Sequence, residues 1–251
     1  ERWFSVLGIS FNAFHCSIVS LPSDRNKEYF QEDKNGKVSK IVEIKITPEL
    51  AYVIGFALGD GSIQKYMVEV FNQDRKLRKY LLKILEPYGT ITEEERDYGL
   101  WRLRLSSVKI ANLIKDEKGL RKDTIDFIFN DNELARKFIA AFWDAEGSVG
   151  RRKNTKNYFD IILYNSNVSL LSRIIKYLNK NGIKTSLNYF KETRANYSIH
   201  NRNVKAKKKV FRVRVLKDSF EKWAKSIGIN MLHSKKRTKV NDIIHGGTTN
   251  E

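Results

Sequence analysis

The chain has 251 residues, 41% of them hydrophobic, with a net charge of +18 and a pI near 9.8. That length suits one large domain or two of about 100–130 residues, and no apolar run approaches the ~20 residues of a bilayer span, so no membrane partner is expected. The single Cys16 excludes an internal disulfide or a Cys-rich zinc knuckle, the four histidines are scattered, and the basic charge makes nucleic acid the expected partner.

Residues 1–46 read as an N-terminal extension, with one alternating stretch, residues 41–46, predicted as a strand. Thr47 then stands before Pro48 and Glu49, an N-cap followed by proline at the first helical position. The helix runs through Tyr52, Val53, Ile54, Gly55, Phe56, Ala57 and Leu58 to Gly59, and is followed by Asp60 and Gly61. Two strands follow, residues 61–63 and 67–73, then a helix over 77–88 with leucines at 77, 81, 82 and 85. Residues 90–96 and 100–105 form two more strands across an Asp97-Tyr98-Gly99 turn, and a short helix over 108–115 closes the unit.

The same order then repeats. A helix from Asp131 or Asn132 runs through Phe138, Ile139, Ala140, Ala141, Phe142, Trp143, Asp144 and Ala145, with Glu146 and Gly147 at its end. Strands are predicted over 147–149 and 159–166, a helix over 168–178, strands over 184–190 and 210–216 across a long basic loop, and a helix over 219–227. The chain therefore divides into the extension 1–46, a first repeat 47–130, a second repeat 131–235 and a basic, loose tail 236–251.

Gly55 matches Ala141 in the two motifs, and Gly59 matches Ala145. Small residues at those places let two helix backbones approach closely, inside the usual 8–10 Å axis spacing. Their ends then bring Asp60 and Glu146 side by side. Two carboxylates facing the negative ends of two helices repel each other unless a divalent cation lies between them. Asp144, whose counterpart is Leu58, reads as structural or capping.

The fourth strand of each repeat sets apolar residues on one face and a pair of arginines on the other: Arg102 and Arg104, then Arg212 and Arg214. Residues two apart on a strand are ~6.6 Å apart, close to two base-pair steps, and arginine can donate two hydrogen bonds to guanine in the major groove. Gln64, Tyr66, Glu69, Arg152, Asp160, Tyr164 and Asn188 are further candidates on the strands and turns. Arg194, Arg202 and Lys208 in the basic loop are candidates for phosphate contact.

The doubled motif, the helix–strand order and the arginine-bearing strands, over about residues 47–235, resemble the LAGLIDADG homing endonucleases in their single-chain, two-motif form, and most of all the archaeal intron-encoded members. The resemblance implies an α+β fold of two pseudo-twofold αββαββα units. Two four-stranded antiparallel sheets would form a saddle over the DNA major groove, with the motif helices at its centre. It implies a monomer that cuts both strands of double-stranded DNA across the minor groove, leaves short 3′ overhangs and recognises a long asymmetric site. Mg²⁺, as two or three ions that Mn²⁺ or Ca²⁺ could replace in binding, would be held by Asp60, Glu146 and the backbone carbonyls of Gly59 and Ala145. Asn72, Gln73 and Asn165 fall at the family's polar active-site positions. Gln73 and Ser166 stand where some relatives carry lysine, so Lys122 and Lys235, each beyond a closing helix, are the candidates for the basic member. Two alternatives share the fold: an RNA maturase acting on intron RNA, and a DNA-binding protein that no longer cuts. Either way the implied location is intracellular, cytoplasmic in an archaeon and organellar in a eukaryote.

Overall fold

The computed structural model describes residues 29–32, 38–41, 44–117, 119–152, 158–189, 196–199, 202–205 and 209–245. Strands β1 (Tyr29–Glu32) and β2 (Val38–Ile41) form an antiparallel pair. The strand expected over 41–46 thus ends where it was to begin, and Ile44 to Thr47 carries no strand. The alternation there is read by burial instead: Ile44 and Ile46 enter the core and Lys45 stays outside.

Helix α1 (Pro48–Asp60) starts at the predicted cap, where the Thr47 hydroxyl accepts from the Leu50 backbone N–H at 3.2 Å. It leads into β3 (Gly61–Ile63) and β4 (Met67–Asn72), then α2 (Arg75–Leu85), capped by Asp74. The apolar period extends the predicted helix to residue 88, but Pro87 removes a backbone donor, and Glu86–Tyr88 tightens into a 3₁₀ turn. Strands β5 (Thr90–Arg96) and β6 (Leu100–Ser106) and helix α3 (Val108–Ile114) complete the unit. A small hairpin, β7 (Lys115–Asp116) with β8 (Gly119–Leu120), and helix α4 (Lys122–Asn130) then lead to the second motif. Neither was anticipated, because two-residue strands and a nine-residue helix are too short to show a period.

Asp131 caps α5 (Asn132–Glu146), accepting from Glu133 N at 2.8 Å and Leu134 N at 2.9 Å. The second unit continues with β9 (Gly147–Arg151), β10 (Phe159–Asn165), α6 (Val168–Lys180) and β11 (Thr185–Tyr189). The expected basic loop contains its own antiparallel pair, β12 (Asn196–Ile199) with β13 (Arg202–Lys205). Strand β14 (Phe211–Val215) and helix α7 (Phe220–Ser226) follow. Of the tail read as basic and loose, residues 236–244 lie in helix α8 (Ser234–Ile244), which buries Val240 and Ile243, and residues 246–251 lie outside the described residues.

Both four-stranded sheets are antiparallel and share one order. The first runs β3-β4-β6-β5 and the second β9-β10-β14-β11. Registers match as well: Gly61 pairs with Val70, two before Asn72, and Gly147 pairs with Leu163, two before Asn165. Each sheet buries its apolar face, with Trp101, Leu103 and Leu105 in one and Val213 and Val215 in the other.

Helices α1 and α5 pack along each other through almost fully buried residues at the centre of the core. A side-chain carbon added at Gly55 would lie 2.3 Å from the Phe138 carbonyl oxygen, and one at Gly59 would lie 2.4 Å from the Ala145 methyl. Gly55 thus lies against Phe138, and Gly59 against Ala145, its counterpart in the second motif. Replacing Gly55 by Ala should destabilise the protein by about 1–3 kcal/mol, because the obstacle is backbone that cannot rotate away. Gly150→Ala, where nothing lies within 4 Å, is the control and should stay within about 0.5 kcal/mol in chemical denaturation.

Candidate metal centre and nucleic-acid interface

Each motif helix ends on its acid, and each acid is followed by a glycine pressed against the preceding turn. A side-chain carbon at Gly61 would meet the Ala57 carbonyl at 2.4 Å, and one at Gly147 the Trp143 carbonyl at 2.5 Å. The chain therefore leaves each helix directly into an edge strand. Because Gly59 sits against Ala145, and within 3.0 Å of Glu146 Cγ when given a side-chain carbon, the two helix ends are in contact.

Electrostatics shows the cost of this placement. Burial pushes the Asp60 carboxyl up to about 6, and the Lys236 charge pulls in the opposite direction. Burial also raises Glu146, and the negative charge of Asp60 raises it further, while an Asn165 hydrogen bond and Lys236 lower it. The acids repel each other in a half-buried site. They are hard oxygen donors, and among the described residues no cluster of three or more His, Cys, Asp or Glu could hold a metal. Two carboxylates with an otherwise open sphere fit Mg²⁺, Mn²⁺ or Ca²⁺, which take water, carbonyl and phosphate oxygens as their remaining ligands.

The predicted polar residues separate. Asn165 Nδ2 donates to Glu146 Oε1 at 3.1 Å, and its own oxygen accepts from Asn167 N at 2.8 Å. Asn72, at the same register position, spends its oxygen on Gln73 N and Asp74 N, each at 2.9 Å. Gln73 is exposed and donates to the Tyr98 carbonyl at the tip of the β5–β6 turn.

Lys122 and Lys235 are the sequence candidates for the basic member of the site. Both are exposed, Lys122 at the start of α4 and Lys235 in the first turn of α8. Among the described residues, Lys236 is the cation whose charge acts on both acids. Its ammonium donates to the Trp143 carbonyl at 3.1 Å and the Asp144 carbonyl at 2.5 Å, capping the negative end of α5. Burial lowers the Lys236 pKa, opposed by Asp144, Asp60 and Glu146. A signal for this residue was present in the sequence. Residues 236, 240 and 243 share one helix face, and Val240 and Ile243 are its buried members.

The matching registers place the candidate reading residues on equivalent faces. Ser62, Glu69, Arg104 and Thr92 form one cross-strand row, and Ser148, Ile162, Arg214 and Ser186 form its counterpart. The next row is Phe71, Arg102 and Glu94 in one sheet, and Tyr164, Arg212 and Asn188 in the other. The arginines are not a simple cationic face. Glu69 takes Arg104 at 2.9 Å and Arg102 at 3.5 Å, Arg102 also pairs with Glu94, and Arg214 lies 3.5 Å from Asp160. Tyr66 is exposed beside Lys65, Gln64 is exposed in the β3–β4 turn, and Arg152 stacks over Tyr158. Arg194, Lys208 and the Arg202 side chain lie outside the described residues.

The two repeats differ in charge. Residues 47–130 hold 14 Lys and Arg against 13 Asp and Glu, whereas residues 131–235 hold 23 against 8. Nearly all of the excess that defines the chain's composition is in the second repeat.

A carboxyl held above its unfolded value of 3.8 favours the fold below that pH, and the advantage is lost as pH rises through about 6. Metal-free protein at pH 7.5 should therefore be stabilised by Asp60→Asn, by about 1–2 kcal/mol after allowing for water access. The gain should fall to about half at pH 5 and vanish only below about pH 3.5, where the carboxyl is protonated in both states. Mg²⁺ should raise the wild-type melting temperature at pH 7.5 and leave that of the variant unmoved in differential scanning calorimetry.

Residues 133–228 match the family model of a LAGLIDADG-like domain. Uncharacterized protein MJ0314 of Methanocaldococcus jannaschii is 27% identical over 165 residues, which cover 60% of this chain and 61% of that protein. Uncharacterized protein MJ0398 of the same organism is 24% identical over 148 residues, covering 54% and 52%. The chain thus spans about three fifths and about half of the lengths of these curated relatives. Among solved structures, I-DmoI in complex with DNA and Mn aligns with a TM-score of 0.51 at 19% identity, covering 72% of this chain and 96% of that chain. At that identity the likeness speaks for the fold. Residues 133–228 thus resemble a LAGLIDADG-like domain, and the paired motif helices ending on Asp60 and Glu146, with their antiparallel sheets, share the α+β fold of that solved structure.

Proposed function

We propose that the chain is a divalent-metal-dependent endonuclease that cuts both strands of double-stranded DNA across the minor groove, leaving short 3′ overhangs. The observation that carries this reading is the meeting of Asp60 and Glu146 at the ends of touching helices, with burial raising both and mutual repulsion raising Glu146 further. Such strain is out of place in a purely structural pair and is relieved when a cation and a phosphate occupy the site. I-DmoI, which shares this fold, has been crystallised with DNA and Mn, and a G20S variant of it with its target DNA in the presence of Mg.

In this reading Asp60 and Glu146 hold the ion, with the Gly59 and Ala145 carbonyls beside them. When bound, the ion supplies an activated water and neutralises charge on the scissile phosphate. Asn165 fixes the rotamer of Glu146 through its 3.1 Å hydrogen bond. Lys236 keeps both acids closer to their ionised forms and sets a positive charge beside them. The two arginine-bearing faces lie in the major groove of a long asymmetric target. The second repeat supplies most of the phosphate attraction, and the first contributes a more nearly neutral face in which Glu69 fixes the direction of two guanidinium groups.

Asp60→Asn, Glu146→Gln and Lys236→Met should each cut single-turnover cleavage by at least about 100-fold, with duplex affinity kept within about threefold. The assay uses duplex DNA spanning the uninterrupted host locus, with Mg²⁺ or with EDTA. Full cutting by either acid variant would remove the assignment. Glu69→Gln releases Arg102 and Arg104 from their shared carboxylate, and Ile162 holds the equivalent place in the second sheet. It should tighten binding to an arbitrary duplex about 3–10-fold and steepen the log–log salt dependence by about one. Unchanged or weaker binding in a fluorescence-anisotropy titration would show that Glu69 does not restrain the arginines.

A further inference from the structure

Two buried carboxylates have no part in holding an ion. Asp144 is 1% exposed and Asp74 is 8% exposed, and they belong to different repeats. Together they hold the three residues 232–234 at the entry to α8. Asp144 Oδ2 accepts from Leu232 N at 2.6 Å, from His233 N at 3.2 Å and from the Tyr52 hydroxyl at 2.5 Å. Asp74 Oδ2 accepts from Ser234 N at 2.7 Å and from the Ser234 hydroxyl, with His233 Nδ1 at 3.4 Å. Its other oxygen caps α2 through Lys76 N at 3.0 Å and Leu77 N at 3.1 Å.

These bonds tie down the backbone one turn ahead of Lys236. The ammonium then returns to the end of α5, onto the carbonyls of Trp143 and Asp144 itself. Tyr52 comes from α1, Asp144 from α5 and Asp74 from the N-cap of α2, so the contact joins both repeats to a helix lying outside the duplicated unit. It also accounts for the unmatched acid of the motif pair. Leu58 holds the place in α1 equivalent to Asp144, and it packs against the apolar core.

We infer that Asp74 and Asp144 are positioning residues, which together seat residues 232–234 so that α8 delivers the Lys236 ammonium to the acid pair. The inference rests on the proposed reading of Asp60 and Glu146 as the reacting site, and its first test is independent of that reading. Lys235 and Lys236 are neighbours on one helix, the first exposed and the second drawn inward. Under limiting amine acylation of the whole chain, followed by tandem mass spectrometry, Lys236 should react about tenfold more slowly than Lys235. Asp74→Asn and Asp144→Asn should each raise Lys236 labelling at least about threefold with Lys235 unchanged, provided circular dichroism shows a folded chain. Tyr52→Phe should do so more weakly, as it removes one of the three donors to Asp144. An unchanged ratio in folded Asp74→Asn and Tyr52→Phe proteins overturns the inference even if Asp144→Asn does not fold.

The second test is a cycle on the cleavage rate of bound DNA. Asp74→Asn alone should slow cutting about tenfold or more, with affinity within about twofold. In the Lys236→Met background it should slow cutting no further, because the group it positions is gone. Multiplying effects would overturn the positioning role. A wild-type chain that cuts nothing would sink the endonuclease reading, while the labelling ratio would still decide the placement of Lys236.

Discussion

Everything at the centre of this molecule depends on how closely two helix backbones approach. Helices with ordinary side chains between them pack at 8–10 Å, too far apart for short terminal carboxylates to share one ion. Gly55 against the Phe138 carbonyl and Gly59 against the Ala145 methyl remove that spacer. The apolar residues around them, from Leu50 to Phe56 on one helix and from Phe138 to Trp143 on the other, bury the contact and exclude water from it. What makes the helix pair stable also makes its ends costly. Asp60 and Glu146 are brought together in a half-buried place where burial raises both and the Asp60 charge raises Glu146 further.

The remaining architecture answers that cost without cancelling it. Lys236 supplies one positive charge to two acids, so the site keeps a net demand for a cation. The Asn165 amide holds Glu146, whereas its register partner Asn72 is spent on the α2 turn. The duplication is thus closer in backbone than in chemistry. The same inequality runs through the sheets, where Glu69 and Glu94 neutralise the arginines of the first repeat, and through the charge of the two halves. In the proposed reading, an asymmetric protein built on repeated topology suits an asymmetric duplex, one side gripping phosphates and the other presenting fixed donors to base edges.

The features legible in the sequence are those written in local chemistry. Thr47 before Pro48, and Asp131 before Glu133, fix both motif helices at their starts, and the small residues near their ends announce the close contact. Alternation in β6 and β14 places the arginines opposite the buried residues. What was not legible depends on partners distant in the chain. The engagement of Arg102 and Arg104 follows from Glu69 lying across one strand pair and Glu94 across another. Lys122 and Lys235 are the sequence candidates for the basic residue of the site, whereas the charge that acts on both acids is that of Lys236. Charge alone does not distinguish neighbours in a Lys-Lys-Arg run; the spacing from Lys236 to the buried Val240 and Ile243 does. Asp144 reads as structural in the sequence, but its attachment to residues 232 and 233 is a tertiary fact with no local trace.

The central claim is that the two helix ends share an ion. Anomalous scattering from crystals of the chain soaked in Mn²⁺ tests it most directly. The account predicts a peak between α1 and α5, within about 2.5 Å of a carboxylate oxygen from each of Asp60 and Glu146, and lost in Asp60→Asn. A map with Mn²⁺ bound elsewhere and these two carboxylates turned apart would contradict it.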